Sequence, residues 1–281
     1  MTQLRDTRRP LDFWNEQLDI KHDVFHSKDS LAEYKERLER GDAKGDAIDT
    51  IKGSFTRLYL QDITYTYCRG DDLDEIKRKY IDIGIDRYIV ACDELDKYQD
   101  ELEEGQRYWL KSLFYPHYVH SAYSMVSWFV CFGADEKKLG RIAPYLVRAG
   151  EDRLVDTILQ RYQPDRQIAT EDKCGRTFKL LQSVLDVDES KAIKNLEKYL
   201  ASWGKLMGTL KGLESIGLTG TRGAKSNESL IANLDTIKNI SYRGFWAWEV
   251  ALVVRCFDID DSSFRDHEFY PKDLAHYQPG S

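Results

Sequence analysis

Apolar side chains cover almost every face of one segment near the C-terminus, from Phe245 to Phe257. A helix at a protein surface would instead show an apolar stripe about 100° wide. Glu249 and Arg255 interrupt the run, which is also too short to cross a membrane. The pattern therefore predicts a central buried helix that other helices pack around, ended by the Asp-rich stretch Asp258–Ser263.

Helical spacing also dominates the rest of the chain, because apolar residues recur every three or four positions and strand-like alternation is absent. A loop is predicted over Leu213–Ser229, which is rich in Gly, Ser, Thr and Asn. We predict helices over Leu11–Val24, Leu31–Leu38, Ile48–Cys68, Leu73–Glu103, Tyr108–Phe132, Leu139–Ala149, Asp152–Tyr162, Cys174–Leu185, Ser190–Leu210 and Leu230–Ile240.

Glycines and aspartates divide these helices. Gly70 is predicted to end one helix, Asp71 and Asp72 to begin the next, and Gly84 to break it, while Asp135 is a predicted N-cap. A boundary at Gly105 would give an N-terminal helical domain over residues 1–105 and a C-terminal helical domain over residues 106–281.

The expected fold is all-α, with antiparallel helix hairpins stacked into a two-part helical array around a buried C-terminal helix. Three segments repeat one plan, in which an aromatic helix is followed by a short turn with Gly or Asp and by a helix with an acidic start. Stacked helix pairs bury a continuous core in this way. Any all-helical protein can show such similarity, so a true repeat is left open.

Composition places the chain among globular proteins and narrows its partners. Of its 281 residues, 42% are hydrophobic and 32% charged, enough apolar surface for a core. Five cysteines without a CxxC pair suit a reducing compartment, and no signal core is present, so we expect a soluble cytoplasmic protein without a membrane partner. The net charge of −7 argues against direct nucleic-acid binding.

Negative charge is concentrated between Asp71 and Glu104, a stretch that contains 13 acidic and five basic residues. The stretch is either a solvated helix face or an electrostatic docking surface for a basic protein. The candidate docking residues are Asp71, Asp72, Asp74, Glu75, Asp93, Glu94, Asp96 and Asp100.

Catalytic and metal-binding patterns are scarce. Glu249 is either a structural acceptor or a catalytic acid with a raised pKa, because an unpaired carboxylate is costly inside an apolar helix. His117 and His120 lack the companions of a zinc site, and Asp258, Asp260 and Asp261 suit caps better than a metal loop. No cofactor, metal or catalytic residue is therefore predicted.

One stretch resembles the C-terminal signature of the PoNi family, bacterial immunity proteins paired with polymorphic nuclease effectors of the PoNe type. It consists of YRGFWAWEVA, then IDDSS, then YPKDL. The resemblance extends to a two-part helical layout with PoNi-like N-terminal and C-terminal domains. The positions that match the signature are Tyr242, Gly244, Phe245, Trp246, Glu249, Asp260, Asp261, Tyr270, Pro271, Asp273 and Leu274.

The resemblance implies a non-enzymatic immunity protein that binds and neutralises a cognate nuclease toxin, a type VI secretion effector, one to one. The acidic residues would then meet a basic toxin, and a homodimer is left open. Two alternatives from other classes stay in view: a helical scaffold or adaptor without a toxin partner, and a hydrolase that uses Glu249.

Overall fold

The computed structural model describes residues 3–21, 36, 40, 62–96, 119–170, 177–208, 224–232, 234 and 242–280. Every extended run of regular structure over these residues is helical, so the all-α prediction is confirmed. The chain forms two compact units, Met1–Ser112 (unit 1) and Leu113–Ser281 (unit 2). Gly105, the predicted domain boundary, lies outside the described residues.

The described helices of unit 1 are α1 (Leu11–Lys21), α2 (62–69), α3 (Leu73–Ile76) and α4 (Ile83–Asp96), with a π-helical stretch (Lys77–Asp82) joining the last two. Gly70 ends α2 with a φ of 86°, which only glycine adopts without strain. Asp72 caps α3, since its carboxylate accepts from the Glu75 backbone N–H at 2.9 Å. The predicted break at Gly84 is wrong, because the chain stays helical there and the irregularity is the preceding π-helical stretch.

The burial of α1 differs from the spacing that the sequence offers. Leu11 and Trp14 have the three-residue spacing of one apolar face, but Trp14 is fully buried whereas Leu11 is 42% exposed and Phe13 is buried. Trp14 Nε1 donates to the backbone carbonyl of Asp6 at 3.3 Å, and its ring lies 6.1 Å from that of Tyr65. These tertiary contacts, rather than the periodicity of α1 alone, fix which face of the helix turns inward.

The described helices of unit 2 are α5 (Val119–Cys131), α6 (Glu136–Leu146), α7 (Arg153–Leu159), α8 (Lys179–Gln182) followed by a 3₁₀ turn (Ser183–Leu185), α9 (Glu189–Ala201), α10 (Trp203–Met207), α11 (Asn227–Ala232), α12 (Trp248–Phe257) and α13 (Lys272–Ala275). Asp135, a predicted cap, accepts from the Lys138 backbone N–H, and Asp152 and Asp188 cap α7 and α9 in the same way. Within the described ranges, no helix is long and apolar enough to span a membrane.

The predicted buried helix is α12, and it begins three residues later than the apolar pattern, at Trp248. Ala247, the residue before the helix, has non-helical backbone angles (φ −82°, ψ 69°), so the helix starts only after it. All residues of α12 from Trp248 to Val254 are buried, and the helix packs along α5 with further contacts to α8 and α13. It ends at Asp258, whose backbone is left-handed with a φ of 52°.

Two sequence expectations for the middle of unit 2 need correction. The helix predicted over Ser190–Leu210 is interrupted at Ser202, which separates α9 from α10. The loop predicted over Leu213–Ser229 ends earlier, because α11 begins at Asn227. The Asn227 side chain accepts from the Gly204 backbone N–H and donates to the Leu200 carbonyl, both at 2.8 Å. The first residue of α11 is therefore hydrogen-bonded to both α9 and α10.

Candidate functional site

Glu249, a residue of the C-terminal signature, lies in the first turn of α12 and contacts three residues outside the signature. Its side chain has no exposed surface. One carboxylate oxygen, Oε1, accepts hydrogen bonds from the Tyr199 hydroxyl of α9 at 2.7 Å and from the Trp203 indole N–H of α10 at 2.9 Å. Glu249 therefore ties α12 to the two helices that the interruption at Ser202 separates.

The second oxygen, Glu249 Oε2, lies 4.0 Å from His120 Nε2 of α5. Neither atom has a hydrogen-bond partner among the described residues, and both side chains are buried. Burial raises the pKa of Glu249 and lowers the pKa of His120 to about 4. The separation falls within ion-pair range, but burial disfavours the charged form of each group, and His120 is neutral at neutral pH.

This enclosure bears on the hydrolase alternative for Glu249. Burial raises the pKa of Tyr199 well above its usual value, so the Tyr199 hydroxyl keeps its proton and donates a hydrogen bond to Glu249, whose pKa burial also raises. A catalytic carboxyl must come within hydrogen-bond distance of a substrate, and a side chain without exposed surface offers no approach. The geometry is that of a structural tie between helices.

A second group of signature residues gathers around Asp261, which is buried just after α12. Its carboxylate accepts from the Tyr270 hydroxyl at 2.8 Å, from Arg265 Nε at 2.8 Å and contacts His276 Nε2 at 2.7 Å. Burial raises the pKa of Asp261, but the hydrogen bonds from Arg265, His276 and Tyr270 outweigh it and leave the pKa lowered. Asp261 was expected to be a cap. In the structure its carboxylate contacts three side chains of the segment that follows α12.

The other signature residues shape the two ends of this segment. Asp260 is exposed and accepts from the Ser262 backbone N–H at 3.0 Å, which holds the turn. Pro271 begins the short helix α13, with Asp273 in its first turn. On the opposite side, the backbone N–H of Ala247 donates to the Phe269 carbonyl at 2.8 Å, which joins the residues before α12 to the residues before α13.

Aromatic rings fill the space between these two groups. The Phe269 ring lies 5.3 Å from that of Trp203 and 6.1 Å from that of Phe245, and Phe245 lies 5.1 Å from Tyr242. Trp246 is buried, with its ring 6.0 Å from that of Trp248. The aromatic residues of the signature thus pack together with Trp203 and Phe269.

The acidic candidates fall into two groups in unit 1. Asp71, Asp72, Asp74 and Glu75 lie at the start of α3, and Asp93 and Asp96 lie in the last turns of α4. About 20 residues separate the groups, or roughly 30 Å at the helical rise of about 1.5 Å per residue. The Glu94 side chain and Asp100 lie outside the described part of the chain.

Internal ion pairs offset part of the charge at the start of α3. Arg69 donates to both oxygens of Asp71, at 2.7 Å and 2.6 Å, and Lys79 lies 2.5 Å from Glu75. The hydrogen bond from Lys79 is the largest cause that lowers the pKa of Glu75, and the positive charges of Lys79, Arg78 and Arg69 lower it further. Asp93 is exposed.

Sequence reasoning missed a buried ion pair in unit 2, between Asp156 of α7 and Arg166. Arg166 Nε donates to Asp156 Oδ1 at 2.8 Å, and Asp156 Oδ2 accepts from the backbone N–H groups of Gly150 and Ala169. Its position among apolar residues of α7 was the available signal, the same one that identified Glu249. Among the described residues no group of three or more His, Cys, Asp or Glu could hold a metal ion.

Comparison with known proteins identifies the C-terminal part of this chain. Residues 150–274 match the family model described as PoNe immunity proteins (PoNi), C-terminal. This part of the chain is similar to the PoNi C-terminal family. The match spans Glu249, Asp261 and Tyr270, so the resemblance inferred from the signature is confirmed.

One solved structure shows the same fold over the whole chain. It is described as "The Crystal Structure of Protein PA2201 from Pseudomonas aeruginosa" and matches with a TM-score of 0.66 at 17% identity, covering 99% of this chain and 91% of that chain. Among the curated proteins, none matches this chain.

Proposed function

We propose that this PoNi-like protein is a non-enzymatic immunity protein that binds a nuclease toxin and neutralises it one to one. The observation that carries the proposal is the match of residues 150–274 to the PoNi C-terminal family. The toxin would be a type VI secretion effector, and inhibition would take place in the cytoplasm of the producing cell and its siblings.

The buried signature supports a stable scaffold rather than a catalytic centre. Glu249 and Asp261 accept hydrogen bonds from neighbouring side chains within unit 2. A protein that inhibits by binding needs a rigid surface, because ordering flexible groups at an interface costs binding free energy. We therefore place the toxin contact on the exposed surface and not at the signature cluster.

The acidic residues of unit 1 are the proposed contact. A nuclease presents Lys and Arg to the phosphates of its substrate, and those contacts supply much of its affinity for nucleic acid. An acidic surface can attract the same positive field and speed the encounter. The proposed contact residues are Asp71, Asp72, Asp74, Glu75, Asp93, Glu94, Asp96 and Asp100, with no direct contact to nucleic acid.

Co-expression provides the test. A nuclease encoded beside this protein's gene should stop growth when it is expressed alone, and this protein should restore growth when both are expressed. The two chains should co-elute at a 1:1 ratio in size-exclusion chromatography, with the nuclease inactive in the complex. Continued growth arrest with both chains folded and present would refute the proposal.

A further inference from the structure

An apolar stripe lies on the exposed side of α4. The exposed large hydrophobic residues of the described chain are Leu11, Ile83 and Val90, and the last two are seven positions apart on this one helix. Ile83 is 46% exposed and Val90 44%. Seven residues make almost two helical turns, so both side chains occupy the same face.

The opposite face of α4 already supplies the core of unit 1. Ile85, Tyr88 and Cys92 are buried, at the helical spacing of three and four residues. Ile83 and Val90 are therefore not needed to hold the helix in place. Because the buried face already packs in the core, the exposed aliphatic residues on the opposite face indicate an interaction surface.

Charge on the stripe indicates what that partner is. Asp86 follows Ile83 by three positions and Asp93 follows Val90 by three, and both aspartates are exposed. Over the whole of α4 the sequence has four acidic residues and one basic residue, Arg87. Two copies of this chain joined through the stripe would bring like charges together, which is unfavourable.

We infer that the stripe of Ile83, Asp86, Val90 and Asp93 is a docking surface for a basic protein, with the two aliphatic side chains at its centre and the two aspartates at its edge. Interfaces commonly have this anatomy, an apolar centre within a polar rim. The occupant is a folded domain that presents Lys and Arg around an apolar patch. The inference rests on the proposed function, which makes that domain the nuclease toxin.

The test compares two sets of matched substitutions in the full chain. Ile83→Ser with Val90→Ser should weaken binding of the catalytically inactive nuclease encoded beside this protein's gene, raising Kd about tenfold or more. Leu11→Ser is the control, because Leu11 is equally exposed on another helix of unit 1. It should leave Kd within about twofold of the unchanged protein. Both proteins should keep their melting temperature, since the changed side chains are exposed.

A second measurement does not depend on any variant. Hydrogen exchange of the unchanged protein should slow over residues 83–93 when the nuclease is bound. Asp86→Asn with Asp93→Asn should flatten the dependence of the association rate on salt concentration, because screening acts on those charges.

The outcomes separate this inference from the proposed function. If the unchanged protein binds the nuclease and Ile83→Ser with Val90→Ser leaves Kd and the exchange pattern as they were, the stripe is not the docking surface, and the proposed function stands. If the unchanged protein does not bind the nuclease, both ideas fail. If the substitutions abolish self-association of the protein instead, the occupant is a second copy, and the inference is wrong.

Discussion

At the scale of single residues, the buried pair of His120 and Glu249 is the most unusual feature of unit 2. An aliphatic pair would fill the same space without buried polar atoms, whereas here Nε2 and Oε2 have no hydrogen-bond partner in the described structure. Such atoms carry a desolvation penalty. The gain that offsets it is the acceptor that Glu249 Oε1 provides for both Tyr199 and Trp203.

This arrangement predicts the effect of two substitutions at Glu249. Glu249→Leu removes the shared acceptor and leaves two buried donors unsatisfied, so we expect the free energy of unfolding to fall by about 2–5 kcal/mol. Glu249→Gln keeps an oxygen for both donors and should cost clearly less while protection against the toxin remains. Urea unfolding of both variants measures the difference. Equal losses for Leu and Gln would show that Oε1 is not the source of stability.

His120 predicts a dependence of stability on pH. Its pKa falls from 6.5 to about 4 because burial disfavours the charged imidazolium. In the unfolded chain His120 takes up its proton as the pH falls below about 6.5, whereas in the folded chain it does so only near 4. The stability that neutral His120 contributes is therefore present above pH 6.5 and lost as the pH falls to about 4, a loss of about 3 kcal/mol.

Comparison with a His120→Asn variant isolates this contribution from that of other titrating groups. Unfolding free energies of the two proteins, measured from pH 7 to pH 4.5, should converge as the pH falls. Parallel curves over that range would mean that the two proteins have the same proton balance and that His120 is not held neutral by the fold.

At the scale of helices, one glycine shows how closely two elements of unit 2 approach. A Cβ atom at Gly140 in α6 would lie 2.5 Å from the backbone carbonyl oxygen of Tyr162, which follows α7. Alanine favours a helix more than glycine does, by about 1 kcal/mol. Contact with a backbone atom cannot be relieved by a side-chain rotation, so the clash outweighs that preference.

We therefore expect Gly140→Ala to lower the free energy of unfolding by about 1–3 kcal/mol, as overpacked sites do. Lys137→Ala, at an exposed position of the same helix, is the matched control and should change stability little. Thermal unfolding of both variants gives the comparison. A Gly140→Ala protein more stable than the control would show that α6 and the residues after α7 can separate at little cost.

At the scale of the whole molecule, unit 2 contains its own core. The helix α12 is buried against α5, and Glu249, Asp156 and Asp261 find their partners within the same unit. We expect the fragment 113–281 to fold by itself and unfold in one cooperative transition. Near-ultraviolet circular dichroism of its tryptophans and a melting curve test this, and a fragment without fixed aromatic signals would contradict it.

We expect the negative charge of unit 1 to raise the rate of association with the proposed toxin. Asp93→Lys with Asp96→Lys should slow association with the nuclease more than it speeds dissociation, because the aspartates act through long-range attraction. Glu136→Lys with Asp165→Lys changes the net charge equally in unit 2 and is the control. Association rates against ionic strength give the test, and equal rates and salt dependence for the two variants would remove the acidic surface from the contact.

Much of unit 2 could be predicted from the sequence. The apolar run around α12, the cap at Asp135 and the all-helical content depend on local spacing and local hydrogen bonds, which the order of residues shows directly. The aromatic-rich signature likewise identified the PoNi resemblance before any contact was known. Local patterns of this kind are properties of neighbouring residues in the chain.

Tertiary structure alone decided the partners. Tyr199, Trp203 and His120 lie about 50 to 130 positions from Glu249 in sequence, and nothing in their local patterns marks them as its neighbours. Leu11 is exposed and Phe13 is buried because contacts of Trp14 with Asp6 and Tyr65 orient the helix. Spacing along the chain determined which segments become helices, whereas long-range packing and the need to satisfy buried polar atoms determined which faces turn inward and which side chains meet.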